Sequence, residues 1–338
     1  MKHVLMNAFV RWSLCLVLAI SAMPLAAQQT IKIATIAPDG SVWLREMRAA
    51  AAEVQKQTEG RVSVKFFPGG VMGNDAVVLR KIRLGQLQGG AVTGSDVTGV
   101  CQDATIYTLP FLFNNQAEVD AVRKAVDPML ADCFRKGGMR MLGLAGGGFA
   151  YLMSTHELRT RDDLRSSKVW VPANDRVGEM TFKNGGITPI PLPISDVFTS
   201  LQTGLVDTVV NTTSGAVILQ WHSKVKYMID LPLTYVPAYF LVEDKALGKL
   251  APADQAAMLQ AFAAAMARID TTNRRENVQA LAAMKHGGTQ LLTPPPVEAA
   301  RWRDIGVTTS RQLEQQNAFT PAVTAAIRRV LASLRGGN

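Results

Sequence analysis

Apolar residues alternate along Ile31-Lys32-Ile33-Ala34-Thr35, the two-residue period of a half-buried strand, and Pro38-Asp39-Gly40 breaks the run. Ser41 stands in N-cap position for a helix whose Leu44, Met47, Ala51 and Val54 recur at three- and four-residue steps, and Gly60 closes it. Val62 to Phe67 alternates again and ends at Pro68-Gly69-Gly70. A helix through Val77-Val78-Leu79 to Leu84 follows, then a strand from Gly89 to Thr93. This β-α-β-α-β rhythm predicts an α/β fold with a mixed or mainly parallel sheet and helices on its faces.

Leu109-Pro110-Phe111-Leu112-Phe113 is an apolar connector into a helix from about Gln116 to Lys136. Met139 to Gly143 predicts a strand that stops at Gly146-Gly147-Gly148, and Phe149 to Ser154 predicts another. The three glycines suit either a hinge strand between two domains or a tight turn. From Pro252 to Lys285 the chain is Ala-rich, with Leu259, Phe262, Met266, Ile269, Val278, Leu281 and Met284 supplying an apolar stripe. As one helix it is roughly 50 Å long and must lean on more than one body. The alternative is two helices broken near Thr271-Thr272-Asn273. Pro294-Pro295-Pro296 is a stiff connector before two shorter helices.

The first residues change where the protein is expected to work. Lys2 and Arg11 precede or open an apolar run, Trp12 to Ala22, and Pro24-Leu25-Ala26-Ala27 is a small-residue exit. Residues 1–27 therefore read as a signal peptide cleaved near Ala27, and the periplasm is the expected compartment; an uncleaved anchor is the alternative. Cys15 lacks the small residues that a lipoprotein signal places before it. Loss of Lys2 and Arg11 takes the net charge from +9 to +7, and the remaining basic residues are scattered, which argues against nucleic acid as a partner. Cys101 and Cys133 remain after export and are candidates for a disulfide.

Catalytic chemistry is not encoded in any recognisable spacing. His3, His156, His222 and His286 lie far apart, without metal-ligand spacing. Gly143 to Gly148 fails the dinucleotide fingerprint because Ala145 replaces its second glycine. No cofactor, metal site or enzyme is expected. In α/β folds ligands dock beyond the carboxyl ends of strands, which singles out the loops Ala37–Trp43, Pro68–Asp75, Thr93–Ser95, Gly148–Tyr151, Trp170–Asn174 and Asn211–Ser214. Their amides, hydroxyls and aromatics suit reversible recognition, with Trp43, Ser95, Phe149, Ala150, Tyr151, Pro172, Asn174 and Thr212 as candidate contacts.

Lys168 to Thr213 reads KVWVPANDRVGEMTFKNGGITPIPLPISDVFTSLQTGLVDTVVNTT. The closing SDVFTSLQTGLVD downstream of a K-V-x-V-P strand resembles the core signature of solute-binding proteins of tripartite ATP-independent periplasmic (TRAP) transporters, the DctP-like P components. Ala-Pro-x-Gly-Ser-x-Trp at Ala37–Trp43, Phe-Phe-Pro-Gly-Gly-Val-Met-Gly at Phe66–Gly73 and Leu109–Phe113 extend the resemblance over nearly all of the exported chain. It implies two α/β domains with crossing strands and a long helix spanning both, closing on a ligand delivered to a membrane permease without nucleotide hydrolysis. The corresponding boundaries are 28–147 plus about 237–276 for the first domain and 148–236 plus about 277–338 for the second. In the signature, Ser195 is expected to cap a helix that Gly204 ends.

Residue by residue, the resemblance is mixed. Asn211 matches the family's ligand-bonding asparagine. The arginine that clamps a ligand carboxylate falls on Trp170, a second frequent arginine near Ala150, and an often aromatic position on Ile194. Indole has one N–H donor and no charge, whereas guanidinium offers a planar bidentate fork. The expected ligand is therefore apolar, aromatic or a monocarboxylate. A typical dicarboxylate or sugar acid requires basic groups relocated to Arg176 or Lys183, and a ligand-sensing scaffold is a further alternative. The arginine-lacking subset that this sequence resembles is associated with hydrophobic ligands and sometimes with a helical-repeat periplasmic partner.

Overall fold

A computed structural model describes residues 28–93 and 95–336; the signal peptide expected on residues 1–27 lies outside the described residues. The first lobe begins with β1 (Gln29–Thr35), α1 (Val42–Gln57), β2 (Val62–Phe67), α2 (Asp75–Arg83) and β3 (Gly89–Thr93). The Ser41 hydroxyl accepts from the Leu44 amide at 3.3 Å and Asn74 accepts from Val77 at 3.1 Å, so both helices start at capping side chains. Strand β1 runs parallel to both neighbours, with Ile33 opposite Phe66 and Gly89. Two 3₁₀ segments, Ser95–Gly99 and Gln102–Thr108, lead to α3 (Gln116–Lys136). A disulfide joins Cys101 to Cys133 on that helix, with Cα atoms 5.4 Å apart.

The next strand departs from the pattern read in the sequence. Gly146 to Gly148 do not end it: β4 runs without interruption from Met139 to Ser154, 16 residues. The glycines sit at a bulge, where the pairing register shifts between Gly146 and Gly148. A Cβ on Gly146 would lie 1.7 Å from the Tyr235 hydroxyl, and Gly148 has a φ of 112°. Glycine is needed here for close approach and for backbone shape, not for chain reversal.

The second lobe adds α4 (Arg161–Arg165), β5 (Trp170–Pro172), α5 (Arg176–Asn184), β6 (Ile190–Leu192), α6 (Val197–Thr203), β7 (Thr208–Thr212), α7 (Thr213–Ile218) and β8 (Tyr227–Ile229). The chain returns through β9 (Thr234–Glu243) and α8 (Asp244–Leu247) to α9 (Pro252–His286), then β10 (Gln290–Leu292), α10 (Pro296–Gln315) and α11 (Pro321–Arg335). Ser195 does not cap α6. Its hydroxyl donates to the Asp196 carboxylate at 2.8 Å inside a 3₁₀ turn, and Asp196 is the cap residue; Gly204 ends the helix in left-handed conformation, φ 72°.

The main sheet has the order β10-β8-β4-β9-β3-β1-β2, with β7 also paired to β4, while β5 and β6 form a separate pair. Of the two expected sheet types it is the mixed one, because β9 runs antiparallel to both β3 and β4, and β4 antiparallel to β7 and β8. Strand β4 crosses between the lobes: Met139 to Ala150 pair with β9, and Ala150 to Ser154 with β7. Alternate side chains of β9 feed opposite cores. Tyr239 and Leu241 pack with Phe134 and Tyr107, whereas Phe240 and Val242 pack with Leu44 and Phe262. Leu152 and Met153 of β4 divide the second lobe's cores in the same way.

Helix α9 is continuous over 35 residues, so Thr271-Thr272-Asn273 do not break it. Its apolar face covers the first lobe through Met258, Phe262, Met266 and Ile269. One turn further, Asp270, Asn273 and Asn277 share a face and hold the bulge of β4. Asp270 Oδ1 accepts from the Gly146 amide at 2.6 Å, Asn273 Nδ2 donates to the Gly146 carbonyl at 2.9 Å, and Asn277 Nδ2 donates to the Gly147 carbonyl at 2.6 Å. Arg123 on α3 completes the network, donating to Asp270 at 2.7 Å and to the Leu144 carbonyl at 3.0 Å.

Asp270→Ala leaves Arg123 and the Gly146 amide without their shared acceptor, both largely out of water. The expected loss is about 3–5 kcal/mol in urea denaturation; a loss under about 1 kcal/mol contradicts this account. The bond between Cys101 and Cys133 closes a loop with a sequence separation of 32, and its removal by a paired substitution to alanine should cost about 3 kcal/mol in the same assay.

Candidate ligand-binding cleft

Two cavities open where the strands of both lobes end, with volumes of about 160 and 150 Å³. They share Thr93, Ile194, Asn211 and Val236 as common wall, so they are neighbouring chambers of one cleft. Of the residues expected from sequence, Trp43, Ile194, Asn211 and Thr212 line the first chamber, with Pro38, Ile218 and Leu219 adding apolar surface. Ser95, Ala150, Trp170 and Pro172 line the second, together with Ile194 and Asn211.

Phe149, Tyr151 and Asn174 line neither chamber. The alternation of β4 sends Phe149 and Tyr151 away from the face that carries Ala150. Phe149 packs edge-on against Tyr235 at 5.5 Å, and Tyr151 joins the core of the second lobe beside Met153. Asn174, in left-handed conformation with φ 66°, is exposed and donates to Asp96 of the first lobe at 2.9 Å.

Trp170 is buried, and its indole N–H donates to the Leu192 carbonyl at 2.9 Å. Its ring meets Trp221 edge to face, centroids 5.1 Å apart. With its single donor already used, Trp170 presents only apolar surface to the cleft. Asn211 is oriented by its own loop: the Thr212 amide donates to Asn211 Oδ1 at 2.8 Å, while Nδ2 makes no hydrogen bond among the described residues. The Trp43 indole N–H donates to Asn273 Oδ1 at 3.1 Å, tying this chamber to the face of α9 that holds β4. Thr93 on the common wall is fixed by Asp75, which accepts from the Thr93 amide at 2.7 Å; burial foremost pushes the Asp75 carboxyl up to about 7.

No lysine, arginine or histidine is among the described residues lining either chamber. Lys183 is exposed and paired with Glu179 at 2.6 Å, and Arg176 is exposed and donates to Gln316. Among the described lining residues the one ionisable group is Asp175, a residue that sequence reasoning passed over because it lies just beyond the loop ending at Asn174. It stands in N-cap position before α5, short of full capping geometry, with its carboxylate turned toward the Gly178 and Val177 amides of the first turn. Burial raises its carboxyl to about 6, outweighing the pull of the Gly178 and Val177 amides. A signal did exist in the sequence: aspartate directly before an amphipathic helix.

A family model described as "Bacterial extracellular solute-binding protein, family 7" matches residues 33–316. A solute-binding protein of Verminephrobacter eiseniae is 28% identical over 238 residues, 70% of this chain and 71% of its own length. The C4-dicarboxylate-binding periplasmic protein DctP of Rhodobacter capsulatus is 26% identical over 299 residues, 85% of this chain and 87% of its own. Among solved structures, a TRAP periplasmic solute-binding protein from Desulfovibrio salexigens with bound orotic acid superposes with a TM-score of 0.83 at 19% identity, covering 90% of this chain and 99% of that one. One from Haemophilus influenzae with bound L-gulonate gives 0.83 at 16% identity, with the same coverages. The signature Lys168–Thr213, the two lobes joined by crossing strands and these matches agree: the chain belongs to family 7 of the bacterial extracellular solute-binding proteins, the solute receptors of TRAP transporters.

Proposed function

We propose that this chain binds a small apolar or aromatic solute in the paired chambers and hands it to the membrane permease of a TRAP system from the periplasm. The observation that carries the ligand class is the lining: apolar walls, hydroxyls, the amides of Asn211 and Asn273 and one carboxylate, Asp175, with no cation among the described residues. A carboxylate enclosed there leaves water without a charge partner, at a cost of several kcal/mol. The DctP protein of Rhodobacter capsulatus is named for C4-dicarboxylates, and the Haemophilus influenzae neighbour holds L-gulonate. This chain differs where charge matters, with Trp170 and Ala150 in positions where its family often carries arginine. Asp175 further weighs against the monocarboxylate half of the sequence-based expectation.

In this reading, residues 28–147 with about 237–276 form one lobe and 148–236 with about 277–338 the other, and β4 and β9 are the hinge strands. The solute touches both lobes only when they are closed, and that differential contact draws the population to the closed form. The Asn174–Asp96 hydrogen bond then acts as an outer latch across the mouth.

Trp170 and Trp43 report occupancy directly. Intrinsic fluorescence and calorimetry on the chain from residue 28, with 2-phenylethanol and cyclohexanol set against succinate, D-glucuronate and L-gulonate, should give binding of the neutral compounds and at least about 100-fold weaker binding of the acids, nearly 3 kcal/mol. Tight binding of the acids with none of the neutral compounds overturns the ligand class.

A further inference from the structure

We propose that the second chamber has a built polar end, formed by Asp175 and Ser95, that receives a positively charged N–H donor of the solute, an ammonium group carried on an apolar frame. The inference rests on the apolar-solute reading above and deepens it. Asp175 brings a carboxylate into a chamber lined by Trp170, Val171, Phe182 and Ile194, with no basic side chain among the described lining residues. An ionised carboxylate only accepts hydrogen bonds; this one faces the Gly178 and Val177 amides of its own helix, and no side chain among the described residues donates to it.

Ser95 is the independent observation. It lines the same chamber, is 5% exposed, and its Oγ has no hydrogen-bond partner among the described residues. Buried hydroxyls are nearly always paired, so an orphan next to a ligand chamber marks a partner that arrives with the ligand. Thr105 lines the chamber beside them. An ammonium carries three donors and one positive charge, enough to satisfy the carboxylate and a hydroxyl together. A ligand carboxylate has neither a donor nor the right sign for Asp175.

The charged groups around Asp175 are otherwise engaged or exposed. Glu179 on the same helix pairs with Lys183, and Arg176 donates to Gln316. On the facing 3₁₀ segments, Asp96 is held by Asn174, and Asp103 accepts from the Thr320 amide and hydroxyl. Asp175 is thus the acid whose ionisation the chamber itself reads, and its carboxyl is raised to about 6 by burial.

The test compares three probes that share a phenylethyl frame: 2-phenylethylamine, 2-phenylethanol and 3-phenylpropionate. Titration calorimetry at pH 7.5 should place the amine at least about tenfold tighter than the alcohol and the acid weakest. Between pH 5 and 7.5 the amine, protonated throughout, should gain about tenfold in affinity as Asp175 ionises, with the alcohol unchanged. Asp175→Asn should bring the amine down to the alcohol's affinity and flatten the pH profile. Its melting temperature at pH 7.5 should be no lower than the parent's, because an ionised carboxylate is no longer buried. Ser95→Ala gives a second readout, a several-fold loss for the amine alone. Equal affinity for amine and alcohol, or tighter binding of phenylpropionate, overturns the ammonium site and leaves the apolar reading standing. Binding of none of the three overturns both.

Discussion

One face of α9, carrying Asp270, Asn273 and Asn277, supplies hydrogen bonds to a piece of β4 that cannot satisfy itself. At the bulge the ladder to β9 slips, so the Gly146 amide and the Gly146 and Gly147 carbonyls need other partners. A buried backbone group without a partner costs about as much as a lost hydrogen bond. Three polar side chains at helical spacing meet that demand, and the helix must be long because its preceding turns are committed to the first lobe's core. The 35-residue length, the glycine run and the buried Arg123–Asp270 pair are therefore parts of one solution.

That solution reaches the ligand chambers. Asn277 Oδ1 also accepts from the Ser214 amide at 3.0 Å, and its backbone carbonyl accepts from Thr213 at 2.7 Å, at the start of α7 directly after Asn211 and Thr212. Asn273 likewise accepts from Trp43. One helix face thus holds the crossing strand, the loop that orients the Asn211 amide, and the indole of the opposite wall. A displacement of β4 against α9 would be felt in both chambers. The crossing strand and both cavity walls thus share one mechanical support without a dedicated relay.

Much of this was legible in the chain. Alternation and helical spacing located β1, β2, α1 and α9, because periodicity reports burial; it did so best in α1, where Leu44, Met47, Ala50 and Val54 are buried, and least in β2, where only Val62 is. The signature Lys168–Thr213 marked the segments that supply Trp170, Ile194 and Asn211. Three features were not legible, each for a physical reason. Three consecutive glycines have the same local signature in a turn and in a bulge, and only Tyr235 and the face of α9, distant in sequence, decide between them. Sheet direction depends on β9, which arrives from the second lobe and cannot be oriented from its own alternation. Phe149 and Tyr151 looked like ligand contacts because aromatics in a cleft loop usually are; the strand continues through them and turns them inward.

Charge is where this chain differs from the expectation its fold creates. Trp170 brings no free polar group to this wall, because the indole N–H bonds back to Leu192 and the ring locks against Trp221. The wall becomes self-satisfied and can offer a ligand only dispersion and shape. In such a wall every remaining unpaired polar group gains weight, since the low local dielectric strengthens what it does and penalises what it leaves undone. Ser95, whose Oγ has no partner among the described residues, and Asp175, which has only backbone amides, line one chamber together. A buried carboxylate in a cleft with no cation among its described lining residues is a standing cost to the empty protein. That cost is offset only when a solute brings the missing donor, so the same residue that weakens the ligand-free state sharpens the preference for the right ligand.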